Sequence, residues 1–67
     1  MKVARIEKKS FFSGGNIIVR ENNSVTVYPV VPFSRVKIVS IPEGILITWE
    51  DGRLGWGKRS IIVDVIE

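Results

Sequence analysis

The sequence predicts an all-β fold: one small domain of about five to seven short antiparallel strands, closed into a small barrel or a strongly curled sheet. Three observations predict it. Isoleucine and valine supply 20 of 67 residues, against two leucines and one alanine. β-Branched side chains suit a pleated strand and lose rotamer freedom in a helix. Glycine, asparagine and proline punctuate the chain at short intervals, and no segment carries a helical period of useful length.

The elements follow in order. Lys2–Lys8 reads as a first strand with imperfect alternation. Ser10–Gly15 is a loop, because Ser13-Gly14-Gly15 before Asn16 is a strong turn signal. Ile17–Glu21 is a second strand. Asn22-Asn23 makes a tight hairpin turn, since asparagine tolerates positive φ. Val25–Val31 is a third strand, with Pro29 marking an edge or a bulge and Pro32 an end. Arg35–Ile41 alternates well: Val36, Ile38 and Ser40 on one side, Lys37, Val39 and Ile41 on the other. Pro42-Glu43-Gly44 is a turn. Ile45–Trp49 and Leu54–Lys58 then flank Asp51-Gly52, the signature of a two-residue type I′ hairpin. That register sets Trp49 against Leu54 and Ile47 against Trp56, and gathers Ile45, Ile47, Trp49, Leu54 and Trp56 on one face. The opposite face, with Thr48, Gly55 and Gly57, is nearly bare. A one-turn helix around Lys58–Ser60 is compatible with the pattern. Ile61–Ile66 is a last strand, with Asp64 turned away from Val63 and Val65. Closure into a barrel would protect the strand edges.

Sixty-seven residues allow one domain and one small core. Cysteine and histidine are both absent. That removes disulfides, thiolate or imidazole metal sites, and the usual catalytic bases and nucleophiles. The seven carboxylates are scattered, so no metal or other cofactor is expected. Glu50 and Asp51 fall on the expected hairpin tip, where turn formation and a pair with Arg53 account for them. Ser13-Gly14-Gly15-Asn16 lacks the lysine and helix of a phosphate-cradling loop. A non-enzymatic protein is expected. The start, MKVARIEKKSFF, has no continuous apolar stretch of signal-peptide type, and no run is long enough to span a membrane. These readings make a cytoplasmic protein the expectation. Glutamine is also absent and the one methionine is Met1, a composition that leans toward a hot habitat.

Charge is the main functional signal. Ten basic residues against seven acidic give net +3. The excess lies in residues 1–34, with five basic and two acidic groups; residues 35–67 hold five of each. Lys2, Arg5, Lys8 and Lys9 run into Phe11 and Phe12 beside a glycine loop. Cations neutralise phosphates, and rings stack on bases or wedge between them. The competing reading has both phenylalanines folding back to cap the barrel end. Arg53, Lys58 and Arg59 surround Trp56, with Arg35 and Lys37 adding a basic stripe. The tryptophan face is then either core or a stacking platform.

In size and in its layout of strands and glycine turns, the chain resembles the small SH3-like chromatin proteins of archaea, though it carries no motif of theirs. The resemblance implies double-stranded DNA bound across a three-stranded sheet, at a face that would include Arg53, Trp56 and Lys58. The leading expectation is therefore a regulatory or architectural nucleic-acid-binding protein, with DNA ahead of RNA. Its contacts would be Lys8, Lys9, Phe11, Phe12, Arg35, Lys37, Arg53, Trp56, Lys58 and Arg59. The alternative is a protein-interaction or oligomerising module. It is motivated by the apolar run Tyr28–Phe33, which suits an edge pairing or a homodimer interface.

Overall fold

The computed structural model describes residues 1–8, 12–50 and 57–67. The strands are β1 (Lys2–Lys8), β2 (Gly15–Glu21), β3 (Ser24–Val30), β4 (Arg35–Ile41), β5 (Gly44–Glu50), β6 (Lys58–Val63) and β7 (Val65–Ile66). They form two sheets, of order β3-β2-β1-β7 and β4-β5-β6. Both sheets are open, so the expected closed barrel or curled sheet, and with it the SH3-like layout, is overturned. β3 and β4, consecutive in the chain, each end a sheet instead of pairing with each other. The analogy to chromatin proteins loses its structural basis. The homodimer and hot-habitat readings gain none from this fold.

The β2–β3 and β4–β5 hairpins form where local turn chemistry places them. Asn22 adopts φ 54° between the facing residues Glu21 and Ser24. Pro42 and Glu43 connect Ile41 to Gly44, which adopts φ 142°. Pro29 sits on the edge strand β3, where its missing N–H can point to solvent. Gly15 permits a close backbone approach: a Cβ there would stand 1.9 Å from the Glu7 carbonyl oxygen.

Alternation assigns the faces. Ala4 and Ile6 of β1, Ile17 and Val19 of β2, and Tyr28 and Val30 of β3 point inward. They meet Val36 of β4, Ile45, Ile47 and Trp49 of β5, and Ile61 and Val63 of β6. Trp49 is fully buried, and its ring meets Tyr28 edge-on at 5.8 Å between centroids. The doubt over this tryptophan is thus resolved in favour of the core. Tyr28 and Val30 also join that core. They account for part of the apolar run Tyr28–Phe33, whose Pro29, Val31 and Pro32 are exposed.

The second half of the chain departs furthest from expectation. β5 pairs with β6 so that Ile45 faces Val63, Ile47 faces Ile61, Trp49 faces Arg59 and Glu50 faces Lys58. The partners of Trp49 and Ile47 on β6 are thus Arg59 and Ile61, where the expected register had Leu54 and Trp56; the expected Asp51-Gly52 turn and Arg53 lie outside the described residues. The physical reason is burial. This register sets the apolar β-branched Val63 and Ile61 opposite Ile45 and Ile47 on the inner face. Lys58–Ser60 is strand, not helix. Leu54, Gly55 and Trp56 lie outside the described residues.

The expected last strand, Ile61–Ile66, is broken at Asp64. β6 belongs to one sheet, and β7 crosses to the other and pairs with β1 in parallel, against the all-antiparallel expectation. Asp64 makes the crossing. Its backbone N–H donates to the Lys2 carbonyl at 2.8 Å, and its carboxylate accepts the Lys2 N–H at 2.7 Å. Glu67 N–H donates to the Ala4 carbonyl at 2.8 Å. Among the described residues no helix is long and apolar enough to cross a membrane.

Candidate functional site

The outer face of β4-β5-β6 is built by the alternate residues that the core does not use. Cross-strand register arranges them in rows: Arg35, Glu50 and Lys58; then Lys37, Thr48 and Ser60; then Val39, Leu46 and Ile62. The face is therefore basic at one end, hydroxylated in the middle and apolar beyond. A shallow cavity of about 400 Å³ lies over it, lined by Arg35, Lys37, Val39, Leu46, Thr48 and Lys58 among others. Neighbouring strands are about 4.8 Å apart, so Arg35 and Lys58 flank Glu50 across roughly 10 Å. Arg35 and Lys37 are separated by about 7 Å along β4.

Ion pairing distinguishes this face from the other sheet. Lys2 pairs with Glu21 at 4.0 Å, Arg5 with Glu7 at 3.8 Å, and Arg20 with Glu67 at 2.8 Å. Among the described residues, Arg35, Lys37 and Lys58 have no carboxylate within 4 Å, although Glu50 shares their row. In the first sheet Lys2, Arg5 and Arg20 each have a carboxylate within 4.0 Å, which Arg35, Lys37 and Lys58 on the β4-β5-β6 face do not have among the described residues.

The expected basic clusters are redistributed accordingly. Lys2, Arg5 and Lys8 are neighbours in sequence but lie along one strand, on alternating faces. Lys8 reaches inward, and its Nζ donates to the Ser34 carbonyl. Arg59 faces Trp49 on the inner side and emerges at the rim, so it does not join Lys58. The structure thus brings together Arg35, Lys37 and Lys58 and separates Lys8 and Arg59 from them. Lys9, Phe11, Arg53 and Trp56 lie outside the described residues.

Phe12 does not fold back as a cap: it is 72% exposed. Its ring meets Phe33 at 5.7 Å between centroids and 89° between planes. Phe33 was not among the expected site residues. The signal that could have found it is Pro32-Phe33 before Ser34, a proline at the second position of a turn. Ser34 N–H donates to the Val31 carbonyl at 3.2 Å, and Phe33 adopts φ 68°. That is the third position of a type II turn, which ordinarily requires glycine or asparagine. Thr48 and Ser60 also escaped sequence reading, because only the observed register places them in the row of Lys37 and next to that of Arg35 and Lys58.

Among the described residues no group of three or more carboxylates could hold a metal ion. No protein-family model matches the chain, and neither does any curated protein or solved structure.

Proposed function

We propose that this chain is a non-enzymatic nucleic-acid-binding domain that lays a phosphate backbone across the outer face of β4-β5-β6. The supporting observation is the grouping of Arg35, Lys37 and Lys58, unpaired among the described residues, around Thr48 and Ser60. Cations that are not in a close ion pair release counterions when a phosphate arrives, even with Glu50 in the same row, and hydroxyls donate to phosphate oxygens. The absence of histidine and cysteine favours binding over catalysis.

The test is fluorescence anisotropy with labelled 20-mer duplex and single-stranded DNA between 50 and 200 mM salt. Three phosphate contacts predict a slope of log affinity against log salt of about −2 to −3. Arg35→Ala, Lys37→Ala and Lys58→Ala should each flatten it by about one contact, whereas Arg5→Ala should leave it unchanged. No binding of either form at about 50 mM salt overturns the proposal.

One other surface favours a protein partner as the second reading. On the outer face of the first sheet, Val25 is 62% and Val27 53% exposed, beside Ile18, Val3 and Val65. β3 is also an edge strand whose free side could accept another strand. Sedimentation of the purified chain with Val27→Lys as control tests it. A strict monomer with no aggregation tendency at high concentration counts against a self-pairing edge.

A further inference from the structure

We infer that Phe12 and Phe33 form a base-stacking site, so that the preferred nucleic acid is an unpaired strand and not a closed duplex. This rests on the nucleic-acid reading above and specifies its ligand.

Three observations carry it. First, the Val31–Ser34 turn holds a bulky aromatic where glycine is favoured. A φ of 68° is an outlier for such a residue, and strain of this kind concentrates where function needs a side chain in a fixed place. Second, the turn that carries the ring is anchored. Val30 before the turn is core, Ser34 after it is fully buried, and the Ser34 carbonyl accepts from Lys8 Nζ. The turn is thereby tied to the first sheet at both ends, and Phe12 rests edge-on against Phe33 while remaining mostly exposed. Third, Arg35 follows Phe33 by two residues, within about 7 Å along the chain. The aromatic pair therefore adjoins the start of the basic face.

Aromatic rings beside a row of cations match a chain that alternates phosphates with exposed π-faces. Every base of an unpaired strand offers such a face, and stacking on it tolerates any sequence. In a closed duplex the base faces are already stacked, and a ring gains entry only by kinking the helix. The observations show two phenylalanines at right angles at the end of a sheet. That arrangement suits a strand running from Lys58 and Lys37 past Arg35, with a base turned onto the rings.

The experiment compares oligo(dT) 20-mer and 20-base-pair duplex by competition anisotropy, for the wild type, Phe12→Ala and Phe33→Gly. Glycine suits the left-handed turn position, so Phe33→Gly removes the ring without disturbing the turn, and a thermal melt checks that both variants fold. The wild type should favour the single strand. Each variant should lose roughly 5- to 100-fold on the single strand and little on the duplex, with the salt slope unchanged. Equal losses on both ligands, a wild-type preference for duplex, or unchanged affinity in the phenylalanine variants overturns the stacking inference. If Arg35→Ala and Lys37→Ala still weaken binding in that case, the nucleic-acid reading survives it. Absence of wild-type binding to both ligands overturns the two together.

Discussion

Replacing Trp49 by phenylalanine should leave stability nearly unchanged, although the indole lies fully buried in the core. Two opposed effects decide this. The smaller ring removes buried apolar surface and leaves a small cavity, together about 1–2 kcal/mol. Against that stands the indole N–H: Nε1 is buried and has no hydrogen-bond partner among the described residues. A buried donor left unsatisfied costs about 1–3 kcal/mol, which the phenyl ring avoids. The edge contact with Tyr28 at 5.8 Å can survive, because a phenyl ring can occupy the same position. The net change should lie within about 1 kcal/mol of zero. Trp49→Ala, by contrast, removes the whole ring and should cost about 3–5 kcal/mol. In so small a domain that approaches the entire stability. Urea unfolding of the three proteins, followed by far-UV circular dichroism, measures both differences. Should Trp49→Phe destabilise as much as Trp49→Ala, the indole N–H would have to be making a bond, and the reasoning fails.

Two further stability changes follow from backbone geometry. Gly15→Ala puts a Cβ 1.9 Å from the Glu7 carbonyl oxygen and 3.0 Å from the Lys8 Cα, all backbone that cannot swing aside. It should destabilise by more than about 2 kcal/mol, a fall in melting temperature of roughly 10 °C in differential scanning calorimetry. At Phe33 the order of two variants is informative. The glycine variant should be more stable than the alanine variant by about 1 kcal/mol, because only glycine adopts positive φ without penalty. The reverse order in denaturant melts would mean that the turn does not hold this conformation in solution.

What could be read from the chain was local. The strand Arg35–Ile41 was legible because Val36 and Ile38 alternate with Arg35 and Lys37, and the Asn22 turn because asparagine accepts positive φ. Ambiguity began where a local signal competed with a distant one. Asp51-Gly52 argues for a tight hairpin from its neighbours alone. The pairing of Ile45 and Ile47 with Val63 and Ile61 depends on which register completes a core also supplied by Ala4, Ile17 and Val19. Closure posed the same difficulty. Nothing near β3 or β4 in sequence states whether those two strands meet, and in the fold they do not. The candidate site divides likewise. Arg35 and Lys37 share a face by alternation alone, but Lys58 joins them only through the β5–β6 register. The sequence cluster Lys2, Arg5 and Lys8 is dispersed by the rise and alternation of a single strand.

The position of charge matters more than its total, and one substitution separates the two. Lys8, Arg35, Lys37, Lys58 and Arg59 lie toward the end where β1, β3 and β5 finish and β2, β4 and β6 begin. Glu7 and Glu50 share that end, so five cations there meet two carboxylates among the described residues, whereas Lys2 and Arg20 meet Glu21, Glu43, Asp64 and Glu67 toward the opposite end of a molecule 33 Å long. The side-chain charge is therefore polarised along the molecule, which would orient an approaching polyanion. Glu43→Lys raises the net charge to +5, by removing one carboxylate and adding one ammonium, without touching the basic face. From Glu43 to Arg35 the chain runs the length of β4, roughly 20 Å. The Debye length is about 8 Å at physiological ionic strength and about 30 Å at 0.01 M. Affinity for DNA should therefore rise at 10 mM salt and stay within about twofold of wild type at 150 mM, where Arg35→Ala still weakens binding. If Glu43→Lys tightens binding at 150 mM as much as Arg35→Ala loosens it, binding follows overall charge, and the outer face of β4-β5-β6 is not its site.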